Sequence, residues 1–191
     1  MLKMKKQALS SFLILALILF IGSTCPDVEA QSCKPSRRIK GRKLPPKQCN
    51  QENQSECCKE GVFYTTFKCS PPVSHQTKAT LTINSFEKGG DGGGPSECDN
   101  KFHSDNTPVV ALSTGWFNHR SRCLKNITIY GNGRKVNAMG VDECDSTMGC
   151  DSDHDFQPPC PNHIEDASKA VWEALGVPTH VGELDIHWSD A

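Results

Sequence analysis

The chain has 191 residues, with 21 basic against 22 acidic side chains for a net charge of −1, and it contains 11 cysteines. That many cysteines exclude an ordinary domain of a reducing compartment, and so small a net charge means that only local charge patterning carries information. Fifteen glycines, 12 prolines and few aromatics favour short strands joined by turns over long helices.

Residues 1–30 carry Lys3, Lys5 and Lys6, then an apolar run from Phe12 to Ile21, then Val28-Glu29-Ala30 with small residues suited to a signal peptidase. This predicts a secretory signal peptide, because the apolar run is about half of what a bilayer span needs. No later segment is long and apolar enough to span, so an extracellular protein with no membrane contact after cleavage is expected. Cleavage after Ala30 removes Cys25 and leaves Cys33, Cys49, Cys57, Cys58, Cys69, Cys98, Cys123, Cys144, Cys150 and Cys160. An even set in an oxidising compartment predicts five disulfides, with the pairing left open.

Residues 31–68 read as a cysteine-containing basic arm. Lys34, Arg37, Arg38, Lys40, Arg42, Lys43 and Lys47 stand there with no acid among them, and Pro35, Pro45 and Pro46 break any periodicity. The compartment and the lack of interleaved aromatics argue against nucleic acid as the partner. Residues 69–191 are the expected globular domain. Strand character begins just before it, at 62–67, and recurs at 79–83, 109–112, 126–130, 135–141 and 184–188, which suggests a barrel of six short strands. Asn132-Gly133 should turn the chain between the fourth and fifth of these runs.

One helix is expected near the end. Asn162-x-x-Glu165 has the form of a capping box, and Ile164, Ala167, Val171, Ala174 and Leu175 fall on one side before Gly176 and Pro178. Its apolar stripe should cover an open side of the barrel, with Trp172 and Trp188 as packing residues.

Two segments invite a ligand and fail. The loop 86–100 holds five glycines around Asp91 but lacks the lysine and hydroxyl of a phosphate loop, so its glycines serve close backbone approach. Asp151-Ser152-Asp153-His154-Asp155 starts like a calcium loop, yet Phe156 stands where glycine is required and Asn162 where the bidentate glutamate belongs. Cys150 with His154 and Cys160 with His163 lack the paired C-x-x-C of a zinc site. No metal and no cofactor is expected.

Six blocks together carry a resemblance: C-S-P-P-V from Cys69, G-G-D-G-G-G-P-S-E-C-D from Gly89, A-L-S-T-G-W-F from Ala111, V-D-E-C-D-S with G-C-D from Val141, Q-P-P-C from Gln157, and A-V-W-E-A-L-G with the ending W-S-D-A. In this order they resemble the kiwellin, or ripening-related, family of secreted plant proteins. The resemblance implies a mainly β fold, a disulfide-stapled, six-stranded double-psi β-barrel with one short helix, related to barwin, expansins, family-45 endoglucanases and rare-lipoprotein-A-type lytic transglycosylases. Two departures stand out. The amino-terminal cysteine-rich module of longer kiwellins has no counterpart ahead of Cys33, and the family's glycine-rich step after G-W-F is replaced by Asn118-His119-Arg120-Ser121-Arg122.

The resemblance implies a defence-related, non-enzymatic binder or inhibitor of pathogen-secreted proteins such as chorismate mutase. His119, Arg120 and Asp91 are the expected contact residues, on the loops 86–106 and 115–123. Cell-wall polysaccharide is the alternative partner, for a ripening-associated structural wall protein or for a carbohydrate-active barrel. In the latter, Asp142 takes the place of a catalytic acid. Glycoside hydrolysis also needs a second carboxylate, for which Asp91, Asp99 and Asp145 are the candidates. Otherwise Asp142 brackets a turn beside Cys144. Asn53-Gln54-Ser55 and Asn126-Ile127-Thr128 are glycosylation sequons, and Asn53 is favoured because Asn126 begins a strand.

Overall fold

The computed structural model describes residues 33–44 and 48–191; the predicted signal peptide lies outside the described residues. Alternating side chains in strand β3 (Thr77–Ile83) bury Thr77, Ala79, Leu81 and Ile83, and this inward face begins a closed barrel. Its other strands are β4 (Val109–Ser113), β5 (Asn126–Gly131), β6 (Arg134–Cys144), β7 (Ile164–Ala167) and β8 (Glu183–Asp190), arranged in the order β3-β7-β4-β6-β5-β8. β3 and β4 run parallel to β7 and β6 respectively, and the remaining neighbours are antiparallel. Asn132 and Gly133 join β5 to β6 with φ of 50° and 69°, the left-handed pair that a tight hairpin of this twist requires.

The core explains the closure. Leu81, Val110, Leu112, Ile127, Ile129 and Ala167 pack together inside the barrel, and Trp116 meets Trp188 edge to face at 5.2 Å. Trp116 comes from a single helical turn, α1 (Thr114–Phe117), and its indole N–H reaches the Pro71 carbonyl at 2.8 Å. Trp172 is fully buried from helix α2 (Lys169–Leu175) and donates to the Thr82 carbonyl at 3.1 Å. Both predicted packing tryptophans, Trp172 and Trp188, therefore lie in the core.

Four expectations need correction. The segment Ile164–Ala167 is not the first turn of the helix but the strand β7, hydrogen-bonded between β3 and β4, and the helix starts only at Lys169 after Ser168. Pairing on both sides outweighs the local capping pattern. The helix covers no open side, since the barrel is closed; Val171, Trp172 and Leu175 extend its core instead. The run at 62–67 is not a barrel strand either. It forms β2 (Phe63–Thr66), paired antiparallel with β1 (Arg37–Lys40) in a separate two-stranded sheet, and Phe63 is 59% exposed because this sheet has no core to cover. Thus the arm contains a strand that its charged sequence concealed.

All ten described cysteines are paired: Cys33–Cys69, Cys49–Cys57, Cys58–Cys150, Cys98–Cys123 and Cys144–Cys160. Two of the bridges, Cys33–Cys69 and Cys58–Cys150, fasten the arm to the rest of the chain, while Cys98–Cys123 joins two loops and Cys144–Cys160 fastens a loop to the end of β6.

Candidate functional site

Strand β6 continues through Asp142 and Glu143 to Cys144, so these acids sit on the barrel wall rather than in the corner beyond it. A shift in register between Val110 and Ala111 sets Asp142 opposite Ala111. Such a bulge re-aims side chains, and Asp142 and Glu143 both line a cleft of about 320 Å³. The other walls come from the glycine loop, including Asp91 and Glu97, from the corner holding Asp145, His154 and Asp155, and from Asp166 of β7.

Asp142 Oδ1 accepts from the backbone N–H of Glu97 at 2.9 Å and of Glu143 at 2.8 Å, so one oxygen ties the glycine loop to the strand. Burial nevertheless raises its pKa to about 6, since desolvation outweighs those two donors. Glu143 is also pushed up by burial, opposed by the Thr114 hydroxyl, which donates to it at 2.5 Å. Asp166 is pushed up to about 7, mainly by burial and further by the charges of Asp91 and Asp142, while the Thr82 hydroxyl donates to it at 2.7 Å. The cleft therefore holds two carboxyls that exchange protons near neutrality, Asp142 and Asp166.

The floor of the corner behaves in the opposite way. Burial acts to raise the Asp145 pKa, but donors from His154 and Thr147 hold it well below the usual carboxylate range. His154 in turn is raised to about 9, chiefly by its hydrogen bond to Asp145 and also by Asp151. Its two ring nitrogens lie 3.2 Å from Asp145 and 2.6 Å from Asp151, which makes a cationic bridge inside an acidic corner.

Asp91 is only 3% exposed. One of its oxygens accepts from Ser85 N at 2.9 Å and from Asn53 Nδ2 at 3.0 Å, and the other from Ser55 Oγ at 2.7 Å. These bonds order the loop and engage both carboxylate oxygens of Asp91, so at the cleft wall it offers a partner almost no surface. Gly90 and Gly92 pass so close to Ser85 and Asn84 that a Cβ on either would overlap them, and this is why the loop is glycine-rich. Of the two sequons, Asn53 and Ser55 both donate hydrogen bonds to Asp91, whereas Asn126 begins β5 as expected and is exposed there.

His119 and Arg120 are exposed and hold φ of 53° and 67°. Arg120 is not a free tip. Its guanidinium pairs with Glu97 at 3.0 Å and reaches the Cys98 carbonyl at 3.1 Å, next to the Cys98–Cys123 bridge. Asp99, a candidate second carboxylate, faces His103 at 3.2 Å and is not among the cleft residues. The second titrating carboxyl of the cleft is Asp166, which lies on strand β7 and not in the first turn of a helix. The run Ile164 to Ala167 has three buried residues around a half-buried Asp166. Among the described residues, no group of three or more His, Cys, Asp or Glu is placed to hold a metal ion.

The family profile described as Kiwellin-1 matches residues 25–191. Ripening-related protein 3 of Oryza sativa subsp. japonica is 54% identical over 86% of this chain and 78% of its own length. The chain belongs to the kiwellin family. Kiwellin of Actinidia chinensis var. chinensis is 48% identical over 88% of this chain and 71% of its own length. Among solved structures, an expansin of Clavibacter michiganensis is 19% identical with a TM-score of 0.46, covering 61% of this chain and 50% of its own. The kiwellin resemblance drawn from the six sequence blocks is thus established over nearly all of the described chain.

Proposed function

We propose that this chain is a secreted, defence-related and non-enzymatic binding protein, whose partner is a protein released by a pathogen; the family resemblance points to chorismate mutase as one such partner. The observation that carries this reading is the rim beside the cleft. Loop 86–106 and the turn after α1 are joined by Cys98–Cys123 and by the Arg120 clasp on Glu97 and Cys98, so the surface is ordered before a partner arrives. Phe102 and Leu124 stand exposed on these two loops, at 39% and 51%, and supply the apolar anchors that a charged rim alone lacks. Family membership, five disulfides and the absence of any described helix long and apolar enough to cross a membrane support the extracellular location.

A pull-down from infected apoplastic fluid with the mature protein as bait tests the proposal. A single enriched pathogen enzyme is the expected result, and recovery of host wall polymers alone would contradict it. The second reading, a carbohydrate-active or wall-binding cleft, is favoured by one observation: Asp142 and Asp166, both with raised pKa, line the same cleft.

A further inference from the structure

Away from the acidic cleft, a larger groove of about 830 Å³ runs along β1 and the chain that follows it. Arg37, Arg38, Lys40, Arg42 and Lys43 line it, and all five are exposed. None forms an ion pair with a carboxylate among the described residues. The acids on the groove are Glu60 and Asp151, and the latter is engaged by His154 at 2.6 Å. Arg37 is steadied by the Thr147 carbonyl at 3.1 Å, and Lys40 lies over the Phe63 ring at 5.8 Å from its centroid.

The backbone beneath these cations is fixed. Ser36 N donates to the Thr66 carbonyl and Gly41 N to the Val62 carbonyl, both at 2.8 Å, which extends the β1–β2 pairing past each end of β1. Cys33–Cys69 and Cys58–Cys150 hold the same hairpin to the barrel. An extended strand spaces same-face side chains by about 6.6 Å, so Arg38, Lys40 and Arg42 fall in a row rather than at a point, with Arg37 and Lys43 at the alternate positions of the same groove. A row of unpaired cations on a rigid strand fits a linear polyanion. Guanidinium groups take carboxylates through paired donors, and outside the cell the matching chemistry is a polysaccharide of uronic acids. An anionic membrane fits less well, because the Lys40 ammonium sits over the exposed Phe63 ring that would otherwise insert.

We propose that the β1 hairpin groove is a binding site for a linear polyuronate, whose carboxylates repeat along an extended chain. It rests on the extracellular location proposed above and is independent of the identity of the protein partner. The hairpin would hold the protein on carboxylated wall polymer while the loop rim stays free to bind.

Calorimetric titration with de-esterified and with fully methyl-esterified polygalacturonate tests this, using the wild type and a variant with Arg37→Gln, Arg38→Gln, Lys40→Gln, Arg42→Gln and Lys43→Gln combined. Lys78→Gln with Lys135→Gln, on the barrel, is the charge control. The wild type should bind the de-esterified polymer and not the esterified one. The groove variant should bind at least about tenfold more weakly, against no change in the control. Raising salt from about 0.01 M to about 1 M, which shortens the screening length from about 30 Å to about 3 Å, should abolish binding. Equal binding of both polymers, no binding at low salt, or equal loss in the control variant would overturn the proposal. Preferential binding to vesicles rich in anionic lipid would overturn it in favour of a membrane surface.

Discussion

The acidic cleft and the cationic hairpin carry opposite charge under opposite conditions. In the cleft, Asp142, Glu143, Asp145 and Asp166 are partly buried, bonded to Glu97, Thr114, His154 and Thr82, and displaced from their ordinary pKa values in both directions. On the hairpin, Arg37, Arg38, Lys40, Arg42 and Lys43 are exposed and free of carboxylate partners among the described residues. The cleft's charges therefore act on the fold, through desolvation and internal bonds, whereas the hairpin's act on whatever approaches. The two regions also differ in what orders them: the cleft is built on barrel strands with a hydrophobic core behind them, and the hairpin depends on bridges.

The largest expected effect breaks that second difference. Replacing Cys58 and Cys150 by alanine opens a bridge between positions 92 residues apart, and the chain-entropy account gives a cost of about 4 to 5 kcal/mol. Hydrogen exchange should then show the β1–β2 sheet exchanging freely while β3, β4 and β7 stay protected. Loss of protection throughout would mean that hairpin and barrel are one cooperative unit.

Next in size is the pH dependence of the cleft. Asp166 and Asp142 titrate in the folded protein at about 7 and about 6, above their values of about 3.9 in the unfolded chain. The folded state therefore holds these protons more tightly, and stability falls as pH rises from about 4 to about 7. The His154–Asp145 pair combines both senses. The histidine's contribution is fully present below its ordinary pKa of about 6.5 and is lost as pH rises through about 9, whereas that of Asp145 is present above the ordinary carboxylate range and is lost in acid as Asp145 is protonated. Asp166→Asn should accordingly raise stability by about 1 to 3 kcal/mol at pH 7.5 and by much less at pH 4, read from denaturant midpoints. An equal change at both pH values would mean that Asp166 is not desolvated as described.

The smallest effect on stability is expected at the rim. His119→Gly with Arg120→Gly places glycine where φ is positive, which offsets the loss of an exposed ion pair, so stability should shift by no more than about 0.5 kcal/mol. Affinity for the protein partner should nevertheless fall about tenfold, equivalent to about 1.4 kcal/mol. Unchanged affinity would move the contact surface to the acidic corner around Asp145 and Asp155.

Four of the six barrel strands, β3, β5, β6 and β8, were legible from alternation between buried apolar and more exposed polar positions, and β4 from its short continuous apolar run, which is buried on both faces. β7 was not, because Glu165 is completely buried among core residues and reads as a polar helix position. Burial, with no hydrogen-bond partner for either carboxyl oxygen among the described residues, pushes its pKa well above the usual carboxylate range. β1 was hidden for the reverse reason: Arg-Arg-Ile-Lys has no apolar pattern and is a strand only because β2 pairs with it. The site followed the same logic. Asp142 was visible through its place in a family motif, while Asp166 was lost with β7, and the Arg120 clasp depends on a disulfide whose pairing spacing alone left open.

The central claim is that the cleft's carboxylates hold loops in place and break no bonds. Incubating the wild type and Asp142→Asn with cellulose, xyloglucan and peptidoglycan, and measuring released soluble sugar between pH 4 and 7, tests it most directly. The account predicts no product from either protein. Sugar released by the wild type and absent with a folded Asp142→Asn variant would contradict it and make Asp142 a catalytic acid.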